Sequence, residues 1–266
     1  MERSRGCRRD VLLKTIHRYL ERPPEPKPKP NPHCHLIIDG TWFGKDYCLL
    51  VYWDVDLKYV QWWRYGTGEK VLEILDDLRG LKEAGVVCAS ITSDGAPGIV
   101  GAVGMEYPNI PHQRCVTHLQ RQALAFITRY PRTIAGKKIK PLVQWASKID
   151  NYGLRDGWVK RFDYWCVASE EFLKERSWSD DGSQSWYTHK QLRRARALIK
   201  NALPDLFHYL DDPTIPKTSN GLEGRFGGLK QHYGQHRGLC EGRREGYIAW
   251  YLRMVVNRDS PTRNQY

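Results

Sequence analysis

His35-Leu-Ile-Ile-Asp-Gly-Thr-Trp-Phe43 sets a carboxylate directly behind an apolar run. Such a run closed by Asp-Gly reads as a buried strand with an acid at its end. The same arrangement recurs at Val86-Val-Cys-Ala-Ser-Ile-Thr-Ser-Asp94-Gly95, and a third acid, Glu223, lies in Thr218-Ser-Asn-Gly-Leu-Glu-Gly-Arg-Phe226. Asp before Gly is by itself an ordinary turn former. Two such acids at strand ends, together with an Asn-x-x-Glu segment, compose a set of oxygen donors suited to Mg²⁺ or Mn²⁺. A pair of these ions about 3.5–4 Å apart stabilises both the attacking and the leaving oxygen in phosphoryl transfer. A strand end holds its carboxylate rigidly, as such a site requires.

Outward from Asp39, residues 35–43, 47–55 and 59–66 read as three successive strands rich in Val, Leu, Tyr and Trp, joined by short turns at Lys45-Asp46 and Asp56-Leu-Lys58. Thr67-Gly68 opens an amphipathic helix to about Ala84, with Val71, Leu72, Ile74, Leu75, Leu78 and Leu81 on its apolar face and Gly85 as its stop. The nearly all-apolar stretch Val86–Ser93 reads as a central buried strand. A short helix over 97–104 and a fifth strand over 112–117 follow. Three antiparallel strands, helix, strand, short helix, strand is the ribonuclease-H-like order, an α/β fold with a mixed five-stranded sheet. Its first and fourth strands are neighbours, so Asp39 and Asp94 are expected to be adjacent in space.

From about Leu119 to Asp212 the texture changes to long polar stretches with apolar residues at helical spacing, as in Gln191-Leu-Arg-Arg-Ala-Arg-Ala-Leu-Ile-Lys200, which reads as an all-α insertion. Beyond Pro213 and Pro216 a helix capped by Ser219 or Asn220 carries Glu223 on its first turn. At the front, Leu12, Leu13, Ile16, Tyr19 and Leu20 mark a basic helix over 8–22, ended by the proline-rich linker Arg22–Pro30. The expected organisation is 1–30 basic helix and linker, 31–130 first part of a catalytic core, 131–212 helical insertion, and 213–262 core helices.

The 266 residues are enough for one sizeable core and an appended subdomain. The net charge of +12 is uneven. Residues 1–30 hold 9 basic against 4 acidic side chains (+5), 31–116 hold 7 against 11 (−4), 117–216 hold 17 against 11 (+6), and 217–266 hold 9 against 4 (+5). Acid concentrated around Asp39 and Asp94 inside a basic chain fits an enzyme that binds a polyanion and holds cations at its centre. The seven cysteines form no paired framework, which fits a reducing cytosol. No apolar run approaches the roughly 20 residues that cross a bilayer, so no membrane association is expected.

Ile38-Asp39-Gly40-Thr41, Ser93-Asp94-Gly95, Arg114-Cys115-Val-Thr-His118 and Thr218-Ser-Asn-Gly-Leu-Glu223 resemble the Mutator-type group of bacterial insertion-sequence transposases, in this order and over about His35 to Asn257. The resemblance implies a ribonuclease-H-like core with a helical insertion between the second Asp and the Glu. It implies Asp39, Asp94 and Glu223 as a DDE-type acid triad holding two Mg²⁺ (or Mn²⁺) ions, with transposon ends and target DNA as partners. It also implies a homo-oligomer when active and a place in the bacterial cytosol or nucleoid. Relatives usually carry a zinc ribbon and a helix-turn-helix before the core, whereas here the helix of 8–22 and a lone Cys7 precede it. Sequence-specific recognition of ends is therefore not expected.

Cys115 and His118 are half of a zinc site, but His33, Cys34 and His35 offer no well-spaced second pair, so structural zinc is not expected. Cys115 and His118 are read, with Asn220, as support for the active site. In Lys230-Gln-His-Tyr-Gly-Gln-His-Arg-Gly238, Lys230, His236 and Arg237 are candidates for DNA phosphate contacts, with a solvated basic face as the alternative. Trp145, Trp158, Trp165, Trp178 and Trp186 crowd the insertion and are read mainly as core, with stacking of one of them on a flipped or hairpin base as the alternative. Two other functions stay open: a nuclease without strand transfer, and a truncated or repurposed transposase that binds DNA or inhibits a partner. The charge distribution predicts duplex binding that is largely independent of sequence and falls about 10³-fold between 50 and 200 mM salt, for roughly six phosphate contacts. Titrations of random and element-end duplex across that salt range check this, and a salt-indifferent curve refutes it.

Overall fold

The structure, a computed structural model, describes residues 2–45, 47–235 and 239–259. The chain forms two compact units, one of residues 1–91, 96–110 and 220–266, the other of 92–95 and 111–219.

The first unit opens with helix α1 (Glu2–Leu20), which begins well before the expected residue 8. Its early turns lack an apolar stripe, which is the signal the sequence reading used. An antiparallel meander follows, of β1 (Asn31–Trp42), β2 (Cys48–Asp54) and β3 (Tyr59–Gly66), with Ile37 opposite Trp53 and Asp39 opposite Val51. Every residue of β2 is buried, as a strand covered on both faces must be. Strand β1 starts four residues earlier than its apolar run, because Asn31 donates its backbone N–H to the Gly85 carbonyl (3.0 Å) and its side-chain amide to Asp54 (2.9 Å). The wholly buried Asp54 also accepts from Gln61 Nε2 (2.8 Å) and the Leu57 N–H (2.9 Å), which ties off the second turn.

Helix α2 (Val71–Glu83) ends at Gly85, whose φ of +83° favours glycine. Strand β4 (Val86–Ser93), helix α3 (Pro97–Glu106) and strand β5 (His112–Arg114) complete a five-stranded sheet in the order β3-β2-β1-β4-β5. This is the ribonuclease-H-like order. Strand β5 stops at Arg114, short of the expected residue 117, because the Val116 N–H goes to the Lys217 carbonyl (3.2 Å) and Val116 already starts a helix.

Side-chain alternation divides the core of the first unit into two layers. Leu36, Ile38, Leu50 and Tyr52 pack with Ile74, Leu78 and Leu81 of α2 and Ile99 of α3. Ile37, Leu49, Val51 and Trp53 pack instead with Leu222, Phe226 and Leu229 of α10 (Asn220–Gln235) and with Ile248 and Leu252 of α11 (Glu241–Met254). Against α11 lies α1, where the Trp250 indole N–H donates to the Tyr19 carbonyl (2.9 Å).

In the second unit, α4 (Val116–Ile127), α5 (Ile134–Trp145), α6 (Tyr152–Ala168), α7 (Glu170–Lys174), α8 (Lys190–Ala202) and α9 (His208–Asp211) surround their own core. Thr133 and Asn151 cap α5 and α6, accepting from the N–H groups of Gly136 and Leu154. Trp158 and Trp165 are buried, and their indole N–H groups donate to the carbonyls of Leu142 (2.8 Å) and Ala135 (2.9 Å). Trp178 and Trp186 are exposed, contrary to the core reading. They lie on β6 (Arg176–Trp178) and β7 (Ser185–Tyr187), a short antiparallel pair within the stretch expected to be all α. The turn is drawn by Ser179-Asp-Asp-Gly-Ser183, where Asp181 accepts from the Ser179 and Ser183 hydroxyls and Gly182 takes a φ of +70°. Aromatic residues flank it, a strand signal that the surrounding helical periodicity masked.

One buried acid fastens α2 to the sheet. Asp77 accepts from the Tyr52 hydroxyl (2.8 Å) and, through both oxygens, from Arg64 Nε (2.7 Å) and Nη2 (2.5 Å). Removing it leaves the buried Tyr52 hydroxyl and the partly exposed Arg64 guanidinium without this acceptor. Asp77→Ala is expected to cost about 3 kcal/mol, read as a lower urea midpoint with an unchanged slope. A change below about 0.5 kcal/mol contradicts this role.

Candidate active site

Asp39 shares the parity of Ile37 on β1 and so faces the α10 layer, where it is only 3% exposed. On α10, Leu222, Phe226 and Leu229 turn inward at spacings of four and three, which fixes the rotation of the helix about its axis. Glu223, beside Leu222 in the first turn, is carried to the edge of that buried stripe. Strand parity and helix phase thus bring Asp39 and Glu223 together, with carboxylate oxygens within 4.8 Å of one another. Two carboxylates this close repel unless a proton or cation lies between them. A divalent cation bound at about 2.0–2.6 Å from each oxygen spans such a gap, and an all-oxygen donor pair suits Mg²⁺ or Mn²⁺. Glu69 was missed in the sequence. Its Oε1 lies where a Cβ at Gly40 would come within 2.3 Å, so a third carboxylate rests against the backbone next to Asp39, on the face of β1 opposite to the Asp39 side chain. No motif marks it.

Asp94 follows the last residue of β4 and belongs to the second unit. Its turn is held by Ser93 and Arg114, which stand in the quoted motifs without an assigned role, and by His112, which no motif marks. The Gly95 N–H donates to Ser93 Oγ (3.1 Å), and Ser93 Oγ lies 2.8 Å from His112 Nε2. Burial pushes His112 down to about 4, so the ring is neutral near pH 7 and Nε2 is free to accept the Ser93 proton. The Arg114 guanidinium lies against Gly95, where a Cβ would fall 1.6 Å from Cζ, and its Nη2 donates to the Asp94 carbonyl (3.4 Å). Burial lowers the Arg114 pKa, and attraction to Asp94 opposes this only in part. Arg114 Nε is buried with no hydrogen-bond partner.

Also in the second unit, the buried Cys115 Sγ accepts from the Ser219 N–H (3.3 Å) and hydroxyl (3.5 Å), and Ser219 Oγ lies 3.3 Å from His118 Nδ1. Burial pushes the Cys115 thiol up, but hydrogen bonds from His118 and Ser219 outweigh it and hold the pKa below its ordinary value. Cys115 and His118 are therefore joined through Ser219, a residue about a hundred positions away. Asn220 is the first residue of α10. Lys230 is exposed on the same helix with its ammonium 5.8 Å from the Phe43 ring centre. His236 and Arg237 lie outside the described residues.

Cys34, Asp54 and Asp56 also bring ligand atoms within 4.8 Å of one another. The hydrogen bonds to Asp54 and the His35 N–H donated to Asp56 (2.7 Å) account for those carboxylates as parts of the hairpin.

The family model for Mutator-family transposases matches residues 66–162. Over that stretch the resemblance read from the motifs is borne out. No curated protein matches the chain. Two structures of the HTLV-2 integrase catalytic core domain in complex with magnesium, one trimeric and one dimeric, are 17% and 18% identical to it. Each has a TM-score of 0.24 and covers 45% of this chain, and 87% and 88% of its own. The large terminase nuclease from thermophilic phage G20c is 9% identical at a TM-score of 0.21, over 70% of this chain and 97% of its own. Likeness at these scores carries no argument, and the fold rests on its own strand order.

The Asp94 turn makes a specific demand on Gly95, which has a φ of +81° and no room for a side chain. Gly95→Ala is expected to cost about 2 kcal/mol or more through backbone strain and expulsion of Arg114. Chemical denaturation measures it, and a neutral substitution refutes the packing of Arg114 on this turn.

Proposed function

We propose that the chain is the catalytic part of a DDE-type transposase that cleaves DNA at transposon ends and joins the 3′-hydroxyl to target DNA. One observation carries the reading: the carboxylates of Asp39 and Glu223, 184 positions apart, converge within 4.8 Å in the first unit, at positions that the family resemblance implies. The Mutator-family match over 66–162 supports the same class. On this reading Asp94 is the third acid, and 131–212 is an insertion between core segments 31–130 and 213–262. Asp39, Asp94 and Glu223 would hold two Mg²⁺ or Mn²⁺ ions. When bound, such ions neutralise developing charge on the phosphoryl group and lower the pKa of the attacking oxygen.

The chain's own part is to place and fix the donors. Burial of Asp39 on a strand paired on its β2 side keeps its carboxylate from wandering. Ser93, neutral His112 and Arg114 set the backbone of the Asp94 turn, and the first turn of α10 presents Glu223. Exposed Lys230 and the basic segments 117–216 and 217–266 would hold DNA phosphates without reading bases. Among the described residues no helix is long and apolar enough to cross a membrane. A cytosolic, homo-oligomeric enzyme is the setting this reading assumes.

Asp39→Asn, Asp94→Asn and Glu223→Gln keep volume and remove ligand charge. Each should lower Mg²⁺- or Mn²⁺-dependent cleavage of DNA carrying the element's ends by at least about a hundredfold. Because like charges are relieved, Asp39→Asn and Glu223→Gln should unfold no more easily than the metal-free parent. Activity that survives a substitution removes that residue from the triad. Cleavage indifferent to chelator ends the two-metal mechanism, and cleavage without joining moves the assignment to a nuclease.

A further inference from the structure

We infer that the cavity walled by α5, α6 and α7 in the second unit binds an unpaired nucleotide of the DNA substrate, an inference that rests on the proposed action on DNA. The cavity has a volume of about 630 Å³, within the range of small-ligand sites. Its floor is Trp165, held in place by the indole hydrogen bond to the Ala135 carbonyl, and Leu142 and Phe172 supply apolar walls. Tyr164 stands at the same cavity with 72% of its surface exposed. An aromatic ring that contributes little to its own core offers a face for stacking.

Charge narrows the occupant. Arg132, Lys138 and Arg161 line the cavity, and no acidic side chain does so among the described residues. Among the described residues none of the three forms an ion pair there, although nearby surfaces of this unit carry several, such as Arg196 with Glu170 and Lys174 with Glu171. The Arg161 guanidinium already lies over the Trp145 ring, 4.9 Å from its centre, and is thus preorganised. A largely apolar cavity whose charged lining groups among the described residues are all cations fits a ligand with a planar ring at one end and an anion at the other. A nucleotide has that form. In a duplex both faces of each base are covered by stacking, so only an unpaired base can enter.

The probe is a short single strand with one 2-aminopurine, mixed with the full chain in chelator so that no cleavage intervenes. Binding should quench the fluorescence. Tyr164→Ala should abolish most of the quenching and weaken single-strand binding about tenfold, while duplex binding changes less than twofold. Arg161→Gln should reduce the salt dependence of single-strand binding by about one phosphate contact. Tyr164 is exposed, so its removal should leave the unfolding midpoint unchanged, and this is measured alongside. Quenching and affinity that persist in Tyr164→Ala overturn the inference, as does an equal loss for single strand and duplex. Competition by free dAMP as strong as by the oligonucleotide also overturns it, in favour of a mononucleotide site. Asp39→Asn separates the two proposals. If it loses cleavage and keeps quenching, both stand; if the parent cleaves DNA but Tyr164→Ala quenches normally, this inference alone fails. A parent that quenches but never cleaves leaves the nucleotide site standing and removes the catalytic reading.

Discussion

Alternation along β1 is the constraint on which the first unit depends. Its even-numbered residues Leu36 and Ile38 are committed to the α2 and α3 layer, and its odd-numbered Ile37 to the α10 and α11 layer. A slip of one residue would exchange the two faces, part Asp39 from Glu223 and turn it into the α2 and α3 layer. The pairing of Asp39 with Val51 and Ile37 with Trp53 therefore sets both the core and the approach of Asp39 to Glu223. Burial of an acid costs free energy that the apolar residues around it must offset.

The second unit solves a different problem, that of holding a sharp turn after a buried strand. Ser93 accepts from the backbone beyond Asp94 and engages His112, so one hydroxyl links the turn to β5. Gly95 lets Arg114 lie flat on the backbone. These residues touch no substrate in the proposed reaction. They limit the conformations open to Asp94, and positional precision at a phosphoryl-transfer site is worth more than flexibility. The buried Arg114 Nε that lacks a partner is the least settled group of this arrangement, since buried polar atoms are nearly always satisfied.

Much of the secondary structure was legible because periodicity is a local property. Strand Val86–Ser93 has the expected bounds, and α2 and the three-strand meander differ from them by a few residues. The misses have physical causes. The beginnings of α1 and β1 lack an apolar pattern, and β5 yields to α4 because backbone groups of distant segments capture its last residues. The β6–β7 pair was hidden by helices on both sides.

By itself the sequence determined the order of elements, the acids at strand ends and the resemblance that they carry, since each depends on residues within a few positions of one another. Tertiary structure alone decided which acids meet. Asp39 and Glu223 converge because strand parity and helix phase are locked by packing across 184 positions, and Glu69 joins the neighbourhood of Asp39 with no motif at all. Cys115 and Ser219 are likewise 104 positions apart. A local pattern states which face of an element is apolar, whereas the partner of that face is chosen only when the whole chain buries its surface.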